Sequence, residues 1–531
     1  MARPAAAVAP RPVPATLVST AAGGVTLLVL AVLVAWPLLS VVVRGLTAVP
    51  PLRYMLATMG VAVFAALGAL TLAAALAAAV RVGIPGARGV VGICRAGLLL
   101  PPFVVPLATL ALTAGDGRLF GGMLPLRPGP AAIVLAQSFA FLPHAFAMMM
   151  RALSDVSVEA EQAAELLGAS RWTVLRRVTL ALARPGLTRV AFVVLGLCLA
   201  DVATPLLLGG KEPFVLAALL VSAPDPSSPG VALVGTAAGA ALVLAALTLG
   251  AALAGRTWRE AGAPVVLAVT RRAGLSRGAS GRAVLSLVAW PVVAVLLTLW
   301  LTVPLASVLG GGHVSLQHWA TLLGPAARPL ADSLALGVAT ALAAAALALA
   351  VAWLIERRGG ALAAVAATLA QAPAAVAGVV GGVGYLAAFG PTVGHLALVA
   401  LLVAAWQLPL AIRVAADALA GSDRAREQAA LSLGANRLTV WRRVLFPALN
   451  PAAAWIVANG FAAGIAAVGT VVVVAERAGL SLGVTHMLAS ASTSSVGAAC
   501  AVATVLLALA GGATLLGRAV AGRESIPTLL A

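Results

Sequence analysis

Residues 161–185 read EQAAELLGASRWTVLRRVTLALARP, and residues 427–451 read EQAALSLGANRLTVWRRVLFPALNP. Fourteen of the 25 positions are identical, with no gap, at an offset of 266. A match of that density in an Ala/Leu/Val-rich chain is an internal repeat. The offset is half of the 531-residue length, so the chain reads as one unit written twice. The register holds upstream, where Leu142–Pro143 matches Leu408–Pro409 and Ala152–Leu153 matches Ala418–Leu419. Outside this region identity fades into generic apolar sequence. Both copies are Arg-rich islands, and function is to be sought there.

The surrounding sequence is 62% hydrophobic and only 9% charged, with a mean hydropathy of +1.08. No water-soluble domain hides that much apolar surface, so the main solvent is lipid. Crossing a bilayer takes about 20 apolar residues. Twelve such spans can be read: 17–43, 57–80, 96–114, 130–150, 187–208 and 230–254, then 284–308, 331–354, 363–387, 395–416, 453–475 and 495–517. Backbone groups in lipid must be satisfied within a segment, and Ala/Leu-rich runs favour helices over barrel strands. The expected fold is all-α and membrane-integral, with two parallel six-helix repeats. Residues 17–254 form the first, 255–283 an Arg- and Gly-rich linker, and 284–517 the second. Residues 1–16 and 518–531 read as cytoplasmic tails.

Charge placement tests this map. With the N-terminus in the cytoplasm, 27 of the 34 basic residues fall inside, leaving Arg44, Arg53, Arg118, Arg127, Lys211, Arg328 and Arg477 outside. That asymmetry follows the positive-inside rule and puts both islands and both termini in the cytoplasm. Inverted repeats would put the islands on opposite faces. The net charge of +18 is thereby accounted for as topology anchors, with no nucleic-acid partner needed. Cys94, Cys198 and Cys500 have no paired spacing and read as small buried hydrophobes.

Each island has the chemistry of a helix–turn–helix. Glu159, Glu161 and Glu165 suit early helical turns, where negative charge complements the macrodipole. Gly168 follows as a helix stop, and Ser170 can cap the next helix. The second copy has Gly434 as stop and Asn436 as cap, so the physics is kept where the letter changes. Ala163, Ala164, Ala429 and Ala430 leave a surface of little bulk that allows close approach of another backbone. Arg171, Arg176 and Arg177 flank it in one copy, and Arg437, Arg442 and Arg443 in the other. Basic amphipathic helices also lie on anionic headgroups, so membrane lipid is one partner of such a surface. Two symmetric platforms suit a two-fold symmetric partner.

The islands resemble the EAA loop of ABC-importer permeases, whose pattern is Glu-Ala-Ala, three residues, Gly, nine residues, Ile-x-Leu-Pro. Here it falls on Gln162-Ala163-Ala164, Gly168 and Val178-Thr179-Leu180-Ala181, then on Gln428-Ala429-Ala430, Gly434 and Val444-Leu445-Phe446-Pro447. Gln takes the Glu position in both copies, with Glu161 and Glu427 immediately before, and Ala181 takes the place of Pro in copy one. The resemblance covers essentially the whole chain, as a fused pair of type I permease domains in a bacterial inner membrane. It implies coupling loops onto which two copies of a cytoplasmic ABC ATPase dock, with an extracytoplasmic binding protein delivering substrate. ATP and Mg would be used by that partner. A phosphate-binding Walker loop needs Gly-Lys-Ser/Thr, whereas the one lysine here, Lys211, precedes Glu212, so this chain is expected to bind no cofactor and hydrolyse nothing.

Polar residues within spans mark pathways. Asp201 lies in the fifth span and has Ala467 as its repeat-mate, while Gln137 and Gln407 are weaker candidates. The surrounding LADVATPLLLGG resembles the corresponding stretch of ferric-iron permeases, which implies ferric iron as cargo. Aminoethylphosphonate permeases share that look and thiamine permeases the fused length, so those cargoes stay open. A secondary transporter of major-facilitator type also has twelve helices in parallel halves. It would carry no docking motif between the fourth and fifth helices, and more intramembrane charge than Asp201.

Overall fold

The structure, a computed structural model, describes residues 17–46, 50–113, 126–210, 215–221, 230–256, 279–310, 313–390, 395–422, 424–492 and 496–521. The first half opens with α1 (Leu17–Leu30), a π-turn at Ala31–Ala35 and α2 (Trp36–Gly45), which together make one rod. Then come α3 (Leu52–Val82), α4 (Ala87–Gly97), α5 (Val104–Thr113) and α6 (Pro130–Ser154). The first island holds α7 (Val158–Leu166) and α8 (Arg171–Thr173), which runs through a π-turn into α9 (Leu180–Ala200). Short α10 (Ala203–Leu208) and α11 (Leu216–Val221) precede α12 (Gly230–Arg256).

The second half repeats the order. It begins with α13 (Ala279–Val308), a hairpin of β1 (Leu309–Gly310) and β2 (His313–Val314), and α14 (Gln317–Leu323). Next are α15 (Ala327–Trp353), continued by a π-turn to Arg358, α16 (Gly360–Gln371), α17 (Gly378–Phe389) and α18 (Leu396–Gly421). The second island, α19 (Arg424–Ser432) and α20 (Arg437–Val440), runs into α21 (Phe446–Ala466). The chain closes with α22 (Val468–Ala478), α23 (Gly483–Ser492) and α24 (Val496–Ala521).

The protein is an all-α integral membrane protein. Among the described residues nine helices are long and apolar enough to span a bilayer, ten if a bent pair counts as one. The spans expected at 96–114 and 363–387 are broken, at Pro101–Pro102 in one half and at Pro373 in the other. Proline offers no N–H and clashes with the preceding turn, so a continuous apolar run need not be one helix. The second of these pairs bends by 115°. Expected span 230–254 lies within α12, 27 residues long, of which Ala238–Gly250 is the described apolar part. The expected spans 187–208 and 453–475 are shifted: the rods end at Ala200 and Ala466, where the next residue turns extended (ψ 125° at Asp201, 92° at Ala467). The expected linker falls mostly on residues 257–278 and the expected tails on 1–16 and 522–531, outside the described residues, and α24 runs past 517 to Ala521.

Small residues let these rods approach closely. α3 packs closely on α6, where the Ser138 hydroxyl donates to the Ala65 carbonyl at 3.2 Å and a Cβ on Gly68 would collide with the Ser138 side chain. A Cβ on Gly464 would lie 2.8 Å from Gly337 Cα, which fixes how near α21 crosses α15. One apolar core joins α3, α5, α6 and α9 to α13, α17, α22, α23 and α24, so the halves share their interior.

The opening helix of each half also packs on the other half. Trp290 and Trp300 of α13 sit against Gly86 and Gly97 beside α4, while α2 packs on α17. There Pro37 has no N–H to give to the carbonyl of Leu33, one helical turn earlier. The buried Tyr385 hydroxyl donates to that carbonyl instead, at 2.9 Å. Replacing Tyr385 by Phe should therefore cost about 1–3 kcal/mol, because a buried carbonyl is left unsatisfied. Thermal unfolding in detergent should fall accordingly. In a Pro37→Ala background, which returns an N–H to the helix, the same change should cost far less; an equal cost in both backgrounds would contradict this account.

Candidate functional site

The two islands are built alike, from caps outward. The Ser157 hydroxyl accepts from Ala160 N–H at 3.2 Å and starts α7. The helix stops at Gly168, whose φ of 81° a side chain would resist. Ala169 N–H donates to the Ala164 carbonyl and Gly168 N–H to the Glu165 carbonyl, both at 3.0 Å, which is the Schellman pair of bonds. In the second island Gly434 has φ 84°, and Ala435 and Gly434 donate to Ala430 and Leu431, again at 3.0 Å. Ser170 Oγ then accepts from Thr173 N–H at 3.3 Å, and Asn436 Oδ1 from Thr439 N–H at 2.7 Å. Past these caps the second helix of each island passes through a π-turn, Val174–Thr179 or Trp441–Leu445, straight into α9 or α21. Island and span are one rod, so a displacement at the turn is carried into the membrane.

Each island is clasped to the bundle by one ion pair. Arg81, near the end of α3, donates from Nη2 to Glu161 Oε1 at 2.7 Å, and the same oxygen accepts from the Thr179 hydroxyl at 2.6 Å. The side chains of Arg81 and Glu161 are only 10% and 8% exposed. Arg357, at the end of α15, donates to Glu427 Oε1 from Nε (3.1 Å) and Nη2 (2.6 Å), and also reaches the Leu419 carbonyl and the Ser422 hydroxyl. Arg424 bonds the Glu356 carbonyl beside it. Buried ions of this kind persist only when paired and hydrogen-bonded.

With Glu161 and Glu427 turned inward, the other faces are left open. Gln162, Ala163, Gly168, Gln428, Ala429 and Gly434 are exposed, as are Arg176, Arg177, Arg442 and Arg443. Ala164 and Ala430 are half-buried. The side chains of Arg171 and Arg437 lie outside the described residues. At the tips Leu166, Leu167 and Leu433 are each 88% exposed. Both islands lie at one end of the bundle. Arg95, on the helix that follows the Arg81 end of α3, is within electrostatic reach of Arg518 near the end of α24. Ala521 of that helix belongs to the same apolar cluster as Leu445 and Leu449, next to the second island.

Of the pathway candidates, Gln137 and Asp201 are brought together and Gln407 is not. Gln137 Nε2 donates to Asp201 Oδ2 at 3.0 Å and to the Cys198 carbonyl at 3.2 Å, while Asp201 Oδ1 accepts from Thr204 N–H at 3.4 Å. Both side chains are buried. Asp201 sits where α9 breaks, and its neighbour Val202 faces Gly469 beside the matching break after α21, so the two interruptions meet between the halves. Gln407 instead accepts from Asn459 Nδ2 at 3.5 Å. Arg81 and Arg357 were missed as site residues in the sequence because they read only as topology charges.

Residues 69–259 match the family described as binding-protein-dependent transport system inner membrane component. Over 372 residues the chain is 25% identical to the "Probable ABC transporter permease protein y4fN" of Sinorhizobium fredii (strain NBRC 101917 / NGR234), a match that covers 65% of this chain. The chain spans 64% of that relative's length. The family match contains the first island and the Gln137–Asp201 pair.

The clasp has a measurable consequence. Glu161→Ala strands the Arg81 guanidinium, and breaking a buried pair costs roughly 3–5 kcal/mol. Amide exchange in α7 should then accelerate by at least about a hundredfold while the middle of α3 stays protected. Unchanged protection of α7 would mean the pair does not hold the island.

Proposed function

We propose that this chain is the transmembrane permease subunit of an ATP-binding-cassette importer, with both transmembrane domains, 17–254 and 284–517, fused in one polypeptide. The observation that carries the reading is the pair of islands: same Schellman stop, same cap, same buried Glu–Arg clasp, with exposed leucines at the tip, at one end of a helical membrane bundle. The family match over 69–259 and the similarity to an ABC transporter permease support it. In this reading two copies of a cytoplasmic ATPase subunit dock at Gln162–Gly168 and Gln428–Gly434. The chain is not itself an enzyme: ATP and Mg are bound and used by that partner. Closure of the ATPase pair moves the islands, and the rods α8–α9 and α20–α21 carry that movement to the breaks at Asp201 and Ala467, where the path between the halves would open. Substrate comes from an extracytoplasmic binding protein, and the termini face the cytoplasm of a bacterial inner membrane.

For cargo the reading is ferric iron, on the likeness of LADVATPLLLGG to ferric-iron permeases; the Gln137–Asp201 pair supplies oxygen acceptors on the proposed path. Thiamine and a phosphonate are the competing cargoes, which uptake into vesicles holding the chain, its ATPase and its binding protein separates directly.

Coupling is tested at the glycines. Val at Gly168 and Gly434 must adopt φ near 81° and 84°, at a cost of roughly 1–2 kcal/mol each. The double variant should lose co-purifying ATPase and at least tenfold of ATP-driven uptake while its membrane helices stay folded. Wild-type binding and uptake would sink the docking assignment.

A further inference from the structure

A groove of about 500 Å³ runs along the first half, between α3, α6 and α9. Its walls are apolar, from residues such as Leu67, Leu70, Met149 and Leu187, and its island end holds Arg81 and Trp172. It opens sideways: Leu67 is 52% and Leu180 41% exposed. From Leu67 to Arg81 the helix rises about 21 Å at 1.5 Å per residue. Half the hydrocarbon core of a bilayer is about 15 Å. The groove therefore extends from near the midplane to headgroup depth on the island side, and among the described residues its one charged lining residue, Arg81, is at the headgroup end. Trp172 stands at that level too, where an indole keeps its ring in the apolar layer and its N–H in the wet one.

One donor at this end is left over. Arg81 is nine-tenths buried and gives Nη2 to Glu161, but its Nε has no hydrogen-bond partner among the described residues. In the second half the corresponding Arg357 spends both Nε and Nη2 on Glu427, Ser422 and Leu419. A buried, unsatisfied guanidinium N–H calls for an acceptor. Glu161 neutralises part of Arg81, and Arg176 and Arg177 are exposed on the π-turn that follows Trp172 in the chain.

We propose that this groove is a site for one anionic phospholipid of the island-side leaflet, with an acyl chain along α3 and the headgroup phosphate accepting from Arg81 Nε beside Trp172. The site belongs to the first half alone, because only there is the clasp arginine under-satisfied. A lipid seated there touches the residue that holds the first island, so it tunes one of the two islands and leaves the other untouched. The inference does not depend on cargo or on ATPase docking.

The test is native mass spectrometry of the full chain released from nanodiscs of phosphatidylcholine and phosphatidylglycerol mixed equally. The wild type should retain one phosphatidylglycerol in at least tenfold preference over phosphatidylcholine. Filling the groove with Ala78→Trp or, separately, Ala74→Trp should abolish retention, whereas Leu342→Trp on a lipid-facing surface of the second half should not. Arg81→Lys keeps a charge for Glu161 but lacks the Nε donor, and should keep a lipid while losing the headgroup preference. Equal retention of the two lipids by the wild type, or undiminished retention in both Trp variants, overturns the proposal. The wild-type arm stands even if a variant fails to fold.

Discussion

Two largely buried Glu–Arg pairs hold the islands to the bundle. Glu161 and Glu427 are the acidic residues that precede each QAA triplet, and each turns inward to an arginine at the end of the second long helix of its half. That inward turn leaves Gln, Ala and the tip leucines facing out. The helix that follows each island is continuous with a membrane rod, so the clasp ties the near end of that rod to the bundle.

Inside the bundle the governing constraint is that lipid supplies no hydrogen bonds. Wherever a helix is interrupted, something local takes over. Pro37 deprives the Leu33 carbonyl, and Tyr385 from the other half serves it. Where α9 breaks, Asp201 accepts the Thr204 N–H and Gln137 holds the carboxylate. The first of these repairs crosses between the halves, and the second lies within the first half. Helix breaks are weak points that need partners, and the Tyr385 bond ties the packing of α2 to the position of α17 in the other half.

Much of this was legible in the sequence, and the losses have clear causes. Helix stops and caps are local chemistry, so Gly168, Gly434, Ser170 and Asn436 could be read from their neighbours. The clasp could not: its partners lie 80 and 70 residues apart, and an arginine after a span looks like any other topology charge. Hydropathy counted a span at 96–114 and another at 363–387 because apolar runs do not register the geometric effect of Pro101, Pro102 and Pro373. The fifth and eleventh rods begin earlier than expected because the island helix does not stop at the membrane edge, so Arg176 and Arg177 belong to the rod rather than to a loop. Gln137 and Asp201 could be named singly, but only the fold pairs them and sets Gln407 elsewhere.

The central claim is that both islands are sockets for one kind of partner on one side of the membrane. Photo-crosslinking amino acids placed singly at Leu167 and Leu433, in cells co-expressing the cognate ATPase, test it most directly. The account expects both positions to capture the ATPase subunit, and Leu52 and Leu323, exposed at the start of α3 and the end of α14, to capture none. Capture from Leu52 or Leu323, or only lipid at both island positions, would contradict it.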